Sequence, residues 1–218
     1  MMSMMTKISK IGAATAVMAL MATGASAATL SLVGVGYQTQ AISNFDPVSS
    51  PVDLNNEVVS YLTGDVKAIS NGLWLDGPAK VTYTYLGYEA GNSNYAAEIA
   101  GTLFTNGSTI VGESKTVTQG AAGLVDFLFG TTAPPSSAGT IANNGLANPQ
   151  SEHFAIGYYK LSDSSWYVLF DDKASNDRDF DDLVMRIDVA PIPLPAAGWL
   201  LLGGIGALGL ARRRRKAA

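Results

Sequence analysis

The residues best equipped for chemistry lie between Phe170 and Leu183, in the stretch FDDKASNDRDFDDL. Asp171, Asp172, Asp177, Asp179, Asp181 and Asp182 fall within twelve positions, offset only by Lys173 and Arg178. The flanking SWYVLF and LVMRIDV read as strands, which would bring the loop's ends together. Carboxylates held that close repel one another unless something intervenes. A hard divalent cation is the economical remedy, since Ca²⁺ takes roughly six to eight oxygen ligands. Asp177, Asp179 and Asp181 are two apart, so a curled loop can aim alternate side chains at one ion. Asn176 and backbone carbonyls can fill further positions. Zinc and copper fit less well, because soft and imidazole ligands are missing nearby. The alternative is a solvated acidic turn without an ion.

The loop is not an EF-hand. Its sixth position would be Asp182 where that loop needs Gly, and its twelfth would be Asp188, inside the strand LVMRIDV. Six extended residues carry Asp188 about 20 Å from Asp182. The loop must close over an ion with its own residues, helped by Asp171 and Asp172 from the preceding strand. Such an ion would staple two strands rather than catalyse.

The elements that position this loop read as short strands. ATLSLVGVGY (28–37), EVVSYLT (57–63), VKAISNGLWL (66–75), AKVTYTYLGYE (79–89), AAEIAGTLF (96–104), STIVGESKTVT (108–118), GLVDFLF (123–129), HFAIGYYKL (153–161), SWYVLF and LVMRIDV are rich in β-formers. AKVTYTYLGYE alternates, with Val81, Tyr83 and Tyr85 on one face and Thr82 and Thr84 on the other. Asn106-Gly107 signals a hairpin between 96–104 and 108–118, and Gly64-Asp65 joins two further segments. No segment carries an apolar period of 3.6. The pattern predicts an all-β, single-domain β-sandwich or jelly-roll-like fold over 28–190, of about eight to ten strands. Residues 130–150, rich in breakers, are expected to form a long loop.

Both ends of the chain differ from this body. Lys7 and Lys10, a short apolar stretch, and Ala25-Ser26-Ala27 describe a secretory signal peptide over 1–27, with cleavage after Ala27. At the other end an apolar run extends from Leu194 to Ala211 and abuts Arg212 to Lys216. A transmembrane helix over 196–211 with the basic tail 212–216 on the cytoplasmic side follows from this order. The ends hold seven of the fourteen Lys and Arg and none of the eighteen acids, so the body keeps seven bases against eighteen acids, a net charge of −11. That argues against nucleic acid as a partner. The chain has no cysteine, which excludes disulfides, thiolate metal sites and thiol catalysis.

Two stretches resemble known families. The tail IPLPAAGWLLLGGIGALGLARRRRKAA is similar to a PEP-CTERM sorting signal of the VPLPA variant. Ile192, Pro193, Leu194, Pro195 and Ala196 stand at its motif, with Ile in place of Val. The resemblance implies export across the inner membrane, recognition by an exosortase-type membrane protease, and placement at the cell surface or in an extracellular matrix with exopolysaccharide. WYVLFDDKASNDRDFDDLVMRIDV resembles the end of a β-rich module in such proteins, of form D-x-D-[YF]-x-D at Asp177, Asp179, Phe180 and Asp182. It implies a calcium-type loop and supplies no reaction.

Signals for catalysis are weak. His153 is the single histidine, and no G-x-S-x-G elbow accompanies the serines. Glu89, Glu98, Glu113, Asp126 and Glu152 are scattered, and two of them could act on a glycan only if the fold brought them together. Aromatic residues are a better lead for binding. In Tyr158-Tyr159 and Trp166-Tyr167, one ring of each pair must face away from the core. The expectation is a non-enzymatic, calcium-stabilised surface protein; the alternatives are a carbohydrate-binding module and, behind it, a glycan hydrolase.

Overall fold

The computed structural model describes residues 27–63, 71–132, 138–143, 154–172, 178–192 and 203–206. The chain divides into two compact units, one comprising Met1–Ser26 with Pro193–Ala218 and the other Ala27–Ile192. In the first unit the described residues form one helical turn at 203–206. No helix among the described residues is long and apolar enough to cross a membrane. The expected signal peptide lies outside the described residues save Ala27, and the expected transmembrane segment and basic tail lie outside them save that turn.

The second unit is built from antiparallel strands in three sheets. The first sheet joins β1 (Leu30–Val33), β4 (Gly72–Leu75) and β9 (Gly123–Leu124). The second runs β11 (Gly139–Ala142), β10 (Leu128–Thr131), β6 (Asn94–Glu98), β7 (Gly101–Thr105). The third has seven strands, in the order β2 (Gln38–Ala41), β3 (Val58–Thr63), β12 (Ala155–Ser162), β13 (Ser165–Asp171), β14 (Leu183–Pro191), β5 (Ala79–Gly87), β8 (Ser114–Gln119).

The period-2 pattern dictates which face of the large sheet is dry. Val81, Tyr83 and Tyr85 of β5 are buried, as are Val168 and Phe170 of β13 and Met185 and Ile187 of β14. They share one core cluster with Leu73 and Leu75 of the first sheet and Phe104, Phe129 and Ile141 of the second. Phe129 stacks on Phe170 with ring centroids 5.2 Å apart, tying the second sheet to the third. The opposite face of the large sheet carries a smaller cluster. There Ile42, Phe45 and Leu54, from the chain between β2 and β3, cover Val59, Tyr61, Leu169 and Val184 together with Phe180.

Five sequence expectations change. ATLSLVGVGY is not one strand: β1 and β2 belong to different sheets, and between them Gly34 and Gly36 have φ of 98° and 87°. AAEIAGTLF is not one strand either, because β6 and β7 form a hairpin that pairs Glu98 with Gly101. Asn106-Gly107 therefore closes no hairpin. Asn106 instead folds back on β6, accepting the Asn94 N–H at its side-chain oxygen (2.9 Å) and donating to the Asn92 carbonyl (2.6 Å), and β8 pairs with β5. GLVDFLF divides between β9 and β10, which lie in separate sheets. Finally, the expected loop 130–150 contains the end of β10 and all of β11, paired from Leu128–Ala142 to Thr131–Gly139. Its breakers hid a short strand that finds its apolar contact, Ile141, only in the tertiary core.

One buried amide stitches the sheets together. Asn143, 1% exposed, donates to the carbonyls of Leu73 (2.9 Å) and Val125 (2.7 Å). Its side-chain oxygen accepts from the Leu73 N–H (2.7 Å) and the Tyr158 hydroxyl (2.9 Å). The bonds reach separate parts of the core, and removing the amide would strand several buried groups at once, each costing about 1–3 kcal/mol. Asn143→Ala is expected to lower stability by about 3 kcal/mol or more; a urea melt with an unchanged midpoint would show that the amide is dispensable.

Candidate functional site

The acidic segment sits where β13 ends and β14 begins. These strands pair in register from Ser165–Asp188 to Phe170–Leu183, so the ends of the connection are held close, as the flanking apolar runs require. Asp171 and Asp172 leave β13 almost wholly buried, at 0% and 2% exposure, and Asp181 and Asp182 enter β14 at 0% and 8%. Asp179 is half-buried. Asn176 and Asp177 lie outside the described residues.

Polar groups from distant turns receive part of this charge. Asp172 accepts from the side-chain amides of Asn92 (2.9 Å) and Asn94 (2.7 Å), which the β5–β6 connection and the start of β6 present. Asp182 accepts the backbone N–H of Asp172 at 2.6 Å. Asp181 accepts the Asp46 N–H at 2.7 Å through one oxygen, while its backbone carbonyl takes the Glu89 N–H. Its other carboxylate oxygen is buried without a hydrogen-bond partner among the described residues, and so is the side-chain oxygen of Asn94. Both are hard oxygen donors, of the kind a divalent cation takes. Among the described residues, no three His, Asp or Glu side chains form a metal-holding group.

An apolar plug fixes the loop's return. Phe180 is fully buried although its φ is 64°, a left-handed conformation that is uncommon for a bulky residue. Burying the ring offsets that strain. It packs 5.5 Å from the Tyr61 ring and lies over Gly157, where an added Cβ would approach the phenyl to 2.9 Å. Arg178 donates to the Tyr61 hydroxyl at 2.8 Å, and its carbonyl accepts from the Gln40 side chain. Sequence reasoning missed Asn92, Asn94 and the Tyr61 anchor; the one legible hint was a lone phenylalanine amid acids.

The electrostatics follow from burial. The Asp182 carboxyl is pushed up to about 8, first by loss of water and then by the charges of Asp172, Asp171 and Asp179, against the Asp172 N–H. Asp181 rises to about 7, again through burial first, opposed by the Asp46 N–H and reinforced by Asp179.

The other expected site residues disperse, except Glu98 and Asp126. Glu89 and Glu113 are exposed, and His153 and Glu152 lie outside the described residues. Glu98 and Asp126 line one cleft. Of the tail motif, Ile192 is the last residue of the β-rich unit and Pro193, Leu194, Pro195 and Ala196 lie outside the described residues; of the cleavage site, Ala25 does too, and Ala27 is exposed. The aromatic pairs split as alternation requires: Tyr158 and Trp166 are buried, while Tyr159 and Tyr167 stand half-exposed on the other face, stacked 6.3 Å apart. Compared with known families, curated proteins and solved structures, the chain matches none.

A pH dependence follows. Asp181 and Asp182 hold protons more tightly in the folded state than in the unfolded chain, whose aspartates titrate near 4. Their stabilising contribution is therefore full below about pH 4 and lost as the pH rises through about 7 to 8. In metal-free buffer the melting temperature should fall across that window, and Asp182→Asn should flatten the slope. An identical slope in the variant would show that Asp182 does not titrate there.

Proposed function

We propose that this chain is a non-enzymatic exported protein whose β-sandwich is stabilised by Ca²⁺ at the acidic loop. Its tail signal anchors it in the inner membrane, an exosortase-type protease processes it, and it then reaches the cell surface or extracellular matrix in association with extracellular polysaccharide. The observation that carries the reading is the burial of Asp171, Asp172, Asp181 and Asp182 at one strand junction. Several buried carboxylates cannot all stay ionised in a low-dielectric site without compensation. The two orphaned oxygens, on Asp181 and Asn94, fit a hard cation. No three of the described carboxylates form a metal-holding group by themselves, so the ion would need Asn176 and Asp177 beside ligands drawn from Asp171, Asp179, Asp181 and Asp182. The ion would supply charge neutralisation and a cross-link between β13 and β14. Asp172, already bonded by two amides, orients the cluster. The delivery half of the proposal rests on the order of Ile192–Ala196, the apolar run and the arginines.

The Tyr159–Tyr167 pair favours a second reading, a carbohydrate-binding module. Tyr159 donates to Glu57 at 2.9 Å, and in the strand register Tyr167 neighbours Arg186 and then Thr84. Stacked rings beside polar side chains suit a sugar with apolar faces and hydroxyl edges.

Calcium should raise the melting temperature at neutral pH and EDTA should lower it, with Asp179→Ala reproducing the chelator's effect. A melt indifferent to both reagents would refute the ion. Deleting Ile192–Ala218 should release the protein from the membrane fraction; retention would contradict the sorting signal. On a glycan array, binding lost in Tyr159→Ala would favour the second reading over the first.

A further inference from the structure

A cleft of about 750 Å³ opens at the far edge of the large sheet, away from the acidic loop's strand junction. Its walls are the β6–β7 turn (Ile99, Ala100), Val117 of β8, the β8–β9 turn (Ala121, Ala122) and Leu124 of β9. Two carboxylates, Glu98 and Asp126, line the same space.

The pair is held by the fold. Asp126 accepts the Ile99 N–H at 2.9 Å through Oδ2, which sets its carboxylate beside the residue that follows Glu98. Its backbone carbonyl accepts the hydroxyl of buried Tyr83 at 2.8 Å. Glu98 is half-buried and its carboxyl titrates above the ordinary range, through burial first and the Asp126 charge second; Lys115 opposes this. Lys115 itself donates to the Thr102 carbonyl at 3.1 Å and lies over the Phe104 ring. Among the described residues neither carboxylate has a salt-bridge partner; the ion pairs are Lys160–Asp163 and Arg186–Asp188. Two acids against one ammonium leave the cleft net negative. The β8–β9 turn is braced by Gln119, which also lines the cleft and donates to the carbonyls of Ala121 and Gly123.

We propose that this cleft binds a primary ammonium carried on a carbon skeleton. An anion would meet two like charges. A neutral apolar ligand would strip water from both carboxylates and return nothing. An ammonium supplies charge-assisted donors to Glu98 and Asp126, and its carbon body covers Ile99, Val117 and Leu124. The volume suits a small ligand or a short segment of a chain. The shared chemistry has two sources, an aliphatic amine or an amino sugar.

Titration calorimetry on the purified full-length chain in mild detergent separates the outcomes, with 1,6-diaminohexane and glucosamine oligomers as probes and 1,6-hexanediol and N-acetylglucosamine oligomers as neutral controls. Saturable binding of either amine, absent with its neutral control, is expected. Glu98→Gln and Asp126→Asn should each weaken it by roughly tenfold or more. Ala121→Lys, at the exposed turn, should abolish it by placing an ammonium of the chain's own in the cleft. Preference for the diamine assigns an aliphatic amine, and preference for the glucosamine oligomer assigns an amino sugar. No saturable binding, equal binding of the neutral controls, or affinity unchanged in Ala121→Lys would overturn the proposal.

Discussion

Desolvation of like charge at one strand junction is the constraint around which this protein is arranged. Four aspartates leave water where β13 hands over to β14, and the surrounding fold is deployed to make that tolerable. Two asparagines from the β5–β6 region, a backbone N–H from the end of β13 and another from the chain after β2 converge on them. Neutral donors lower the cost of burying a carboxylate but do not remove its charge. What those donors leave is open to protons or to a cation, either of which would tie the junction's stability to the composition of the solvent. For a protein without cysteines, an ion would also supply a cross-link of the kind that disulfides give other domains.

A second buried polar centre works by the opposite logic. Asn143 is neutral and has both its donors and its acceptor oxygen engaged. It fixes the first sheet and β12 at positions that apolar contact alone would leave free to slide. Among the described residues the Asp181 carboxylate keeps one buried oxygen without a hydrogen-bond partner, whereas the amide is fully engaged and therefore rigid. The two lie in one β-rich unit and divide between them the roles of a tunable edge and a fixed centre.

Much of this arrangement is legible in the order of the residues. Alternation in AKVTYTYLGYE places Val81, Tyr83 and Tyr85 inward, and the doublets Tyr158-Tyr159 and Trp166-Tyr167 split as period 2 demands. The junction itself is legible because apolar runs of matching length flank the acids. Sheet membership is not. Short strands such as β1 and β2 are near neighbours in sequence and belong to different sheets, and no local preference encodes which partner a strand will meet. The β6–β7 hairpin is hidden because its turn, Ile99-Ala100, has none of the usual turn residues, while the Asn-Gly that has them serves elsewhere. The partners of Asp172 are invisible for the same reason: Asn92 and Asn94 stand 80 and 78 residues away in the chain, and only the register of the sheets brings them near.

The buried phenylalanine among the acids has a consequence for how this region can change. By docking on Tyr61 and Gly157, Phe180 divides the β13–β14 connection into a longer part, 172–179, and a short return, 181–182. Loop length adds only slowly to the entropy of closing an arc. Changes of length ahead of Arg178 can thus accumulate without shifting the pairing of the last two strands, because the hinge pin beyond them bears the register.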